Sequence, residues 1–265
     1  MDSHLWNISR ERRIFHSTGV IPLSNRISIG RYHNALLAFG TFQDPNDPEV
    51  LYVGAGLWES GKMRPAIIAL EASTGSEVWS WVSTSHSQHG GVRGVIVDGE
   101  RIIGTGYVES PQAGFMFVAD EASPAVWELD TSGSLVQEKL LDQELLPQGA
   151  KIRKDSGGGY VMASTCWDFL GNEDVNSVAV VKLSDDLEVE WSNKFGLAGG
   201  NSQMFDILVD NEGNYLVGGH TTVGSGVVNW DYLALKVDPS GNQIWRKTFG
   251  QPRGFDARYY FESKK

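Results

Sequence analysis

The stretch Ser85, His86, Ser87, Gln88, His89, Gly90, Gly91, Val92, Arg93 is the one richest in groups that can do chemistry. Two imidazoles three residues apart can ligate a metal or pass a proton near neutral pH, and the Arg93 guanidinium can bind a carboxylate through its planar fork. A catalytic set would take His89 or His33 as base, beside Arg93 or an acid such as Asp206. His33 and His220 are further imidazoles at strand ends. The same histidines equally suit a solvated polar connection, because a lone His-x-x-His in a loop has low specificity.

Two other stretches set an aromatic ring beside a carboxylate: Trp58-Glu59 and Cys166-Trp167-Asp168-Phe169. An aromatic face next to an acid suits a sugar ring or a cation, so Trp58, Glu59, Trp167 and Asp168 are the candidate ligand-binding residues. Trp167 equally suits capping its own sheet. The oxygen-rich runs at 171–174 and 210–214 lack the twelve-residue calcium ladder and read as turns, so no metal site is expected. No phosphate loop, nucleophile elbow or His-Glu-x-x-His motif is present, and no cofactor is expected. The single cysteine, Cys166, excludes an internal disulfide and a four-cysteine zinc site.

The elements that must position these residues follow from internal repetition. Leu70 through Trp79 reads as a strand end, an acidic or small turn, Gly75, and then Trp79 four residues later. The pattern returns with Gly slots at 133, 187 and 241, spaced by 58, 54 and 54 residues. Leu187 stands in one Gly slot and Gln137 in one Trp slot. Asp238-Pro239-Ser240-Gly241 places Pro where φ near −65° suits a turn and Gly where φ turns positive, so each unit contains a hairpin. Apolar runs at 50–56, 101–107, 159–165 and 214–220, the last three preceded by further strands at 92–97, 150–154 and 205–209, point to a repeated unit of four antiparallel strands.

Repeated four-stranded units of this length specify an all-β fold, a β-propeller of four-stranded antiparallel blades. Four full repeats occupy about 36–83, 91–141, 149–194 and 204–248. The segment 255–261 starts a further unit, and residues 1–30 would complete a fifth blade shared by the two termini, which removes free edges. The domain reading is a basic N-terminal arm, 1–30, ahead of the propeller, 31–265. A Trp slot near a strand end suits filling the wedge between neighbouring blades. The hairpins after each second strand, at 57–64, 109–114, 166–176 and 221–229, read as long loops on one face.

The segment Ala69 through Trp79 resembles the repeat of pyrroloquinoline-quinone-dehydrogenase-like propellers, with Ala69, Thr74, Gly75 and Trp79 in frame and Glu71 in place of the usual Asp. Trp230 through Asp238, followed by Gly241, Trp245 and Lys247-Thr248-Phe249-Gly250, is similar to blades of secreted bacterial repeat propellers. The resemblance implies the fold and leaves activity open. Quinone dehydrogenases of that kind use larger rings, a calcium-bound cofactor over a Trp and often a vicinal disulfide, which a 265-residue chain with one cysteine does not supply.

Net charge is −11, so a nucleic-acid backbone is not an expected partner. Residues 1–31 run against this balance, with five arginines against Asp2 and Glu11. No apolar run approaches eighteen residues and no signal-peptide core is read, so no membrane partner is expected and the compartment stays open. Two readings of function remain. One is a propeller binding a small molecule or a protein at its loop face, and the alternative is a lyase- or hydrolase-type enzyme using His and Arg at the channel mouth.

Overall fold

In the computed structural model of the chain, the residues described are 15–16, 19–20, 36–44, 47–113, 122–142, 148–170, 173–197, 200–222 and 230–250, and every regular element among them is a strand. A short hairpin, β1 (Phe15–His16) with β2 (Gly19–Val20), precedes four antiparallel sheets. The first sheet is β3 (Leu36–Asp44), β4 (Asp47–Glu59), β5 (Lys62–Glu71) and β6 (Glu77–Val82). The second is β7 (His89–Asp98), β8 (Arg101–Ser110), β9 (Ser123–Asp130) and β10 (Leu135–Leu140). The third is β11 (Gln148–Lys154), β12 (Tyr160–Leu170), β13 (Glu173–Leu183) and β14 (Val189–Lys194), and the fourth is β15 (Ser202–Val209), β16 (Tyr215–Thr221), β17 (Asp231–Val237) and β18 (Gln243–Phe249).

Strands follow chain order across each sheet, so the first strand of every sheet is one edge and the last is the other. β3 lies against β7, β7 against β11 and β11 against β15. The first strands are therefore the inner edges of successive blades, and the sheets form a β-propeller. Each inner strand carries a bulge, at 38–40, 92–94, 148–151 and 204–206. Central strands bury alternate residues on both sides. Ala179, Val181 and Leu183 of β13 pack toward the second sheet, whereas Val178 and Val180 pack toward the fourth. Cys166 is buried in the core between the second and third sheets.

The repeated Trp and Gly slots meet across blade boundaries. Gly133 has φ +84°, and a Cβ there would lie 2.6 Å from the Trp79 ring of the preceding blade. Gly241 stands in the same relation to Trp191, with φ +86° and 3.1 Å. The Trp slots thus fill the wedge between blades, as their spacing predicts. The two exceptions belong to one boundary. Where the second blade has Gln137 instead of Trp, the third has Leu187 instead of Gly, buried and holding φ +63°. A left-handed conformation costs a Cβ-bearing residue of the order of 1 kcal/mol or more, which the burial of an isobutyl group in the space of the absent indole offsets.

The same boundary is polar beside that leucine. In the third and fourth blades Lys182 and Lys236 stand opposite the Trp slot and pair with Asp155 at 3.3 Å and Asp210 at 2.8 Å. In the second blade that position is Glu128, opposite Gln137. Arg101 grips Glu128 with two bonds of 2.7 and 2.9 Å and donates to the Tyr160 hydroxyl at 3.0 Å. Tyr160 in turn donates to Asp98 at 2.7 Å, and Lys154 pairs with Asp98 and Asp185. The fifth blade shared by the termini falls on residues 1–30 and 251–265, which lie outside the described residues apart from the short β1–β2 hairpin.

Candidate functional site

Second-strand hairpins and the connections between blades emerge on one face. The hairpins at 57–64 and 166–176 are not the long loops expected. Strand pairing continues to Glu59 opposite Lys62, around Ser60 and Gly61, and to Leu170 opposite Glu173. Trp58, Glu59, Trp167 and Asp168 therefore stand on extended strands, Trp167 opposite Asn176 and Asp168 opposite Val175. The side chains of Trp167 and Asp168 lie outside the described residues.

Trp58 is half-buried, packed on Met63, Tyr107 and Ala122, with its ring 5.4 Å from His89. Glu59 beside it is exposed. His89 accepts the Met63 backbone N–H at Nδ1, 3.0 Å away, which places the neutral ring's proton on Nε2. Burial, then the charges of Lys62 and Arg64, hold His89 below the ordinary imidazole range, so it is uncharged at neutral pH.

His86 faces two carboxylates, Glu109 at 3.2 Å from Nδ1 and Glu138 at 2.7 Å from Nε2. The indole N–H of Trp127 also donates to Glu138, at 2.7 Å. Both His86 nitrogens are thereby occupied, and the His-x-x-His pair expected to share a metal or a proton is split between separate partners. Arg64 donates to the His86 carbonyl and Lys62 to the Ser87 carbonyl. Glu109 holds φ +54°. Burial opposes its ionisation, yet the Ser87 backbone N–H at 3.0 Å, the Ser87 hydroxyl at 2.9 Å and His86 together keep its carboxyl below the ordinary carboxylate range. These donors hold a backbone conformation that Glu109 would otherwise seldom adopt.

The channel edges carry the other candidates. Arg93 is buried on β7 with its guanidinium 5.3 Å from the Tyr107 ring centre. Burial lowers its pKa and Tyr107 partly restores it. Asp206 on β15 pairs with Arg153 of β11 at 2.6 Å. Lys151, two residues before Arg153, donates to the Arg93 carbonyl at 3.1 Å. Of the four residues expected to converge on catalysis, His89, Arg93 and Asp206 each meet a different partner, and His33 lies outside the described residues.

His220, the last residue but one of β16, has Phe205 edge-on at 4.6 Å and Trp230 at 4.0 Å. It contacts Gln203 Oε1 through Nε2 at 2.7 Å, and burial lowers its pKa to about 4. Four further residues, Glu109, Glu138, Lys151 and Arg153, enter the site without having stood out in the sequence. The alternation Lys151-x-Arg153 on an inner strand is a readable signal. The two glutamates carry none, because they reach His86 from residues 23 and 52 positions away.

No family model matches the chain, and no curated protein matches it. Among solved structures, the chain is similar to a BT0996–RGII complex, at 9% identity and TM-score 0.50, over 80% of this chain and 73% of that one. It is also similar to a thermostable family-43 glycoside hydrolase, at 11% identity and TM-score 0.49, over 79% and 72%. A third is an endo-arabinase from Bacteroides thetaiotaomicron, at 10% identity and TM-score 0.47, over 82% of each protein. Identities this low concern fold alone.

Proposed function

We propose that the chain is a binding propeller that presents its ligand surface on the face bearing Trp58 and Glu59, with Trp167 and Asp168 at the matching end of the third blade. The observation that carries this reading is the bracing of the 83–89 connection. Lys62, Arg64, Glu109 and Glu138 all spend their polar groups on holding it, which leaves a rigid surface instead of an acid–base pair. A fixed surface loses little entropy when it binds. The half-buried indole of Trp58 suits a sugar ring or an organic cation, while Glu59, next along the same extended strand, projects from the other face of the sheet.

Thermal-shift measurements against neutral sugars and quaternary ammonium compounds test this, because a ligand that binds only the folded state raises the melting temperature. Trp58→Ala is expected to abolish the shift and to lower stability by about 2 kcal/mol, less than emptying a fully buried aromatic site. If no compound shifts the melting curve, or if Trp58→Ala retains the full shift, the reading is wrong.

A further inference from the structure

His86 stands in the connection between β6 and β7, and its ring meets a carboxylate at each nitrogen. Nδ1 lies 3.2 Å from Glu109 Oε1 of β8, and Nε2 lies 2.7 Å from Glu138 Oε1 of β10. An ionised carboxylate only accepts, so each contact needs an N–H from the ring, and a neutral imidazole has one where the imidazolium has two. The His86 side chain is 11% exposed, which leaves little room for water to stand in for a missing donor. Neither glutamate supplies the second proton. Glu138 Oε1 already takes the Trp127 indole N–H at 2.7 Å. Burial disfavours the Glu109 charge, yet the Ser87 N–H at 3.0 Å, the Ser87 hydroxyl at 2.9 Å and His86 hold its carboxyl below the ordinary carboxylate range.

We propose that His86 is a proton-operated clamp on the 83–89 connection: as imidazolium it ties the connection to β8 and β10 at once, and on losing its proton it gives one of them up. The contact given up is the one to Glu109. It is the longer of the two, and Glu109, with 32% of its side chain exposed against 19% for Glu138, can turn its oxygens to water. An unprotonated Nδ1 sets its lone pair against Glu109 Oε1, the same oxygen that accepts the Ser87 N–H, so that bond weakens too. The connection runs on to His89, whose ring lies 5.4 Å from Trp58. As a control on the ligand surface the clamp rests on the binding reading above, whereas its existence does not.

The charged and titratable groups that touch His86 among the described residues are Glu109, Glu138 and, at its carbonyl, Arg64 of β5. Lys62 of β5 reaches the Ser87 carbonyl, so the first blade holds the connection through backbone carbonyls whatever the state of the ring. The second blade holds it through the ring. That grip needs a charged imidazole and two ionised glutamates together, so the clamp is closed at mildly acidic pH, about 5.5, and open at about 8.5.

The test uses the full chain with ring nitrogen-15-labelled histidine, read by NMR at those two pH values, together with hydrogen exchange at the Ser87 amide. Exchange is expressed as protection relative to an unstructured peptide at the same pH, which removes the intrinsic effect of pH. At the lower pH both His86 nitrogens are expected to carry protons. At the higher pH a single N–H remains, on Nε2, and Ser87 protection falls about tenfold, as for the loss of one hydrogen bond, while amides of the central strand β9 keep theirs. His86→Gln removes the fall and leaves His89 in place, so a fall that persists in that variant belongs to another group and overturns the proposal. Should His86→Gln fail to fold, the ring protons and the Ser87 protection of the unaltered chain decide the matter. The clamp is also overturned if His86 carries one N–H at both pH values, or if Ser87 protection is the same at both. Neither readout involves a ligand, so failure of the clamp and failure of the Trp58 reading are told apart.

Discussion

Two charged regions lie between the second and third blades, and they are built on opposite plans. In the turn-side network, Arg101 and Lys154 are set among Glu128, Asp98 and Asp185, with Tyr160 as a neutral link. The Glu128 hydrogen bond, above all, raises the Arg101 pKa and lowers that of Glu128 in return, as expected where each charge ends on its opposite. On the inner strands Lys151 is buried near Arg93, Arg153 and Asp206, and burial above all lowers its pKa to about 8. Charges that neutralise one another hold blades together. A charge that burial disfavours contributes less to that than one neutralised by its opposite.

The sharpest way to break this contrast is truncation on both sides. Arg101→Met leaves the nearly buried Glu128 carboxylate without its guanidinium and is expected to cost about 3 kcal/mol in chemical denaturation. Lys151→Met removes a desolvated charge and is expected to leave stability at neutral pH unchanged or higher. If the two variants lose stability equally, the channel lysine is a structural brace and the contrast fails.

A smaller effect concerns the boundary itself. Gln137→Trp alone would drive an indole into the space of Leu187, at a cost of about 1–3 kcal/mol. Adding Leu187→Gly restores the Trp-on-Gly contact found at Gly133 and Gly241 and relieves the φ +63° backbone. The double variant is expected to recover about 1 kcal/mol of coupling or more in a double-mutant cycle. Additive losses would mean that the paired exceptions at 137 and 187 are unrelated.

How much the sequence discloses depends on the range of the interactions concerned. The blades are readable, because turns such as Asp238 to Gly241 and the Trp and Gly slots act within a few residues and repeat. Gln137 and Leu187 are readable only as exceptions, since their relation crosses a blade boundary. The candidate site is less legible. His86 and His89 suggest a shared role, but the Met63 backbone and Glu109 and Glu138, distant in sequence, draw the rings apart. The second-strand hairpins read as loops because Ser60-Gly61 looks like any flexible tip, whereas pairing across it runs to Glu59. The Lys151-x-Arg153 alternation is visible in the sequence, but a single strand does not reveal which neighbouring strands its side chains reach.

The most direct measurement is an NMR titration of the Lys151 ammonium in the folded chain, assigned with Lys151→Met. Its midpoint is expected near 8, well below the unfolded value of about 10.4. Between those two values the unfolded chain holds a proton that the folded chain has released, so stability relative to Lys151→Met should rise with pH across that interval. A midpoint at the ordinary lysine value would contradict the claim that Lys151 is buried against its own charge while the turn-side network neutralises its charges.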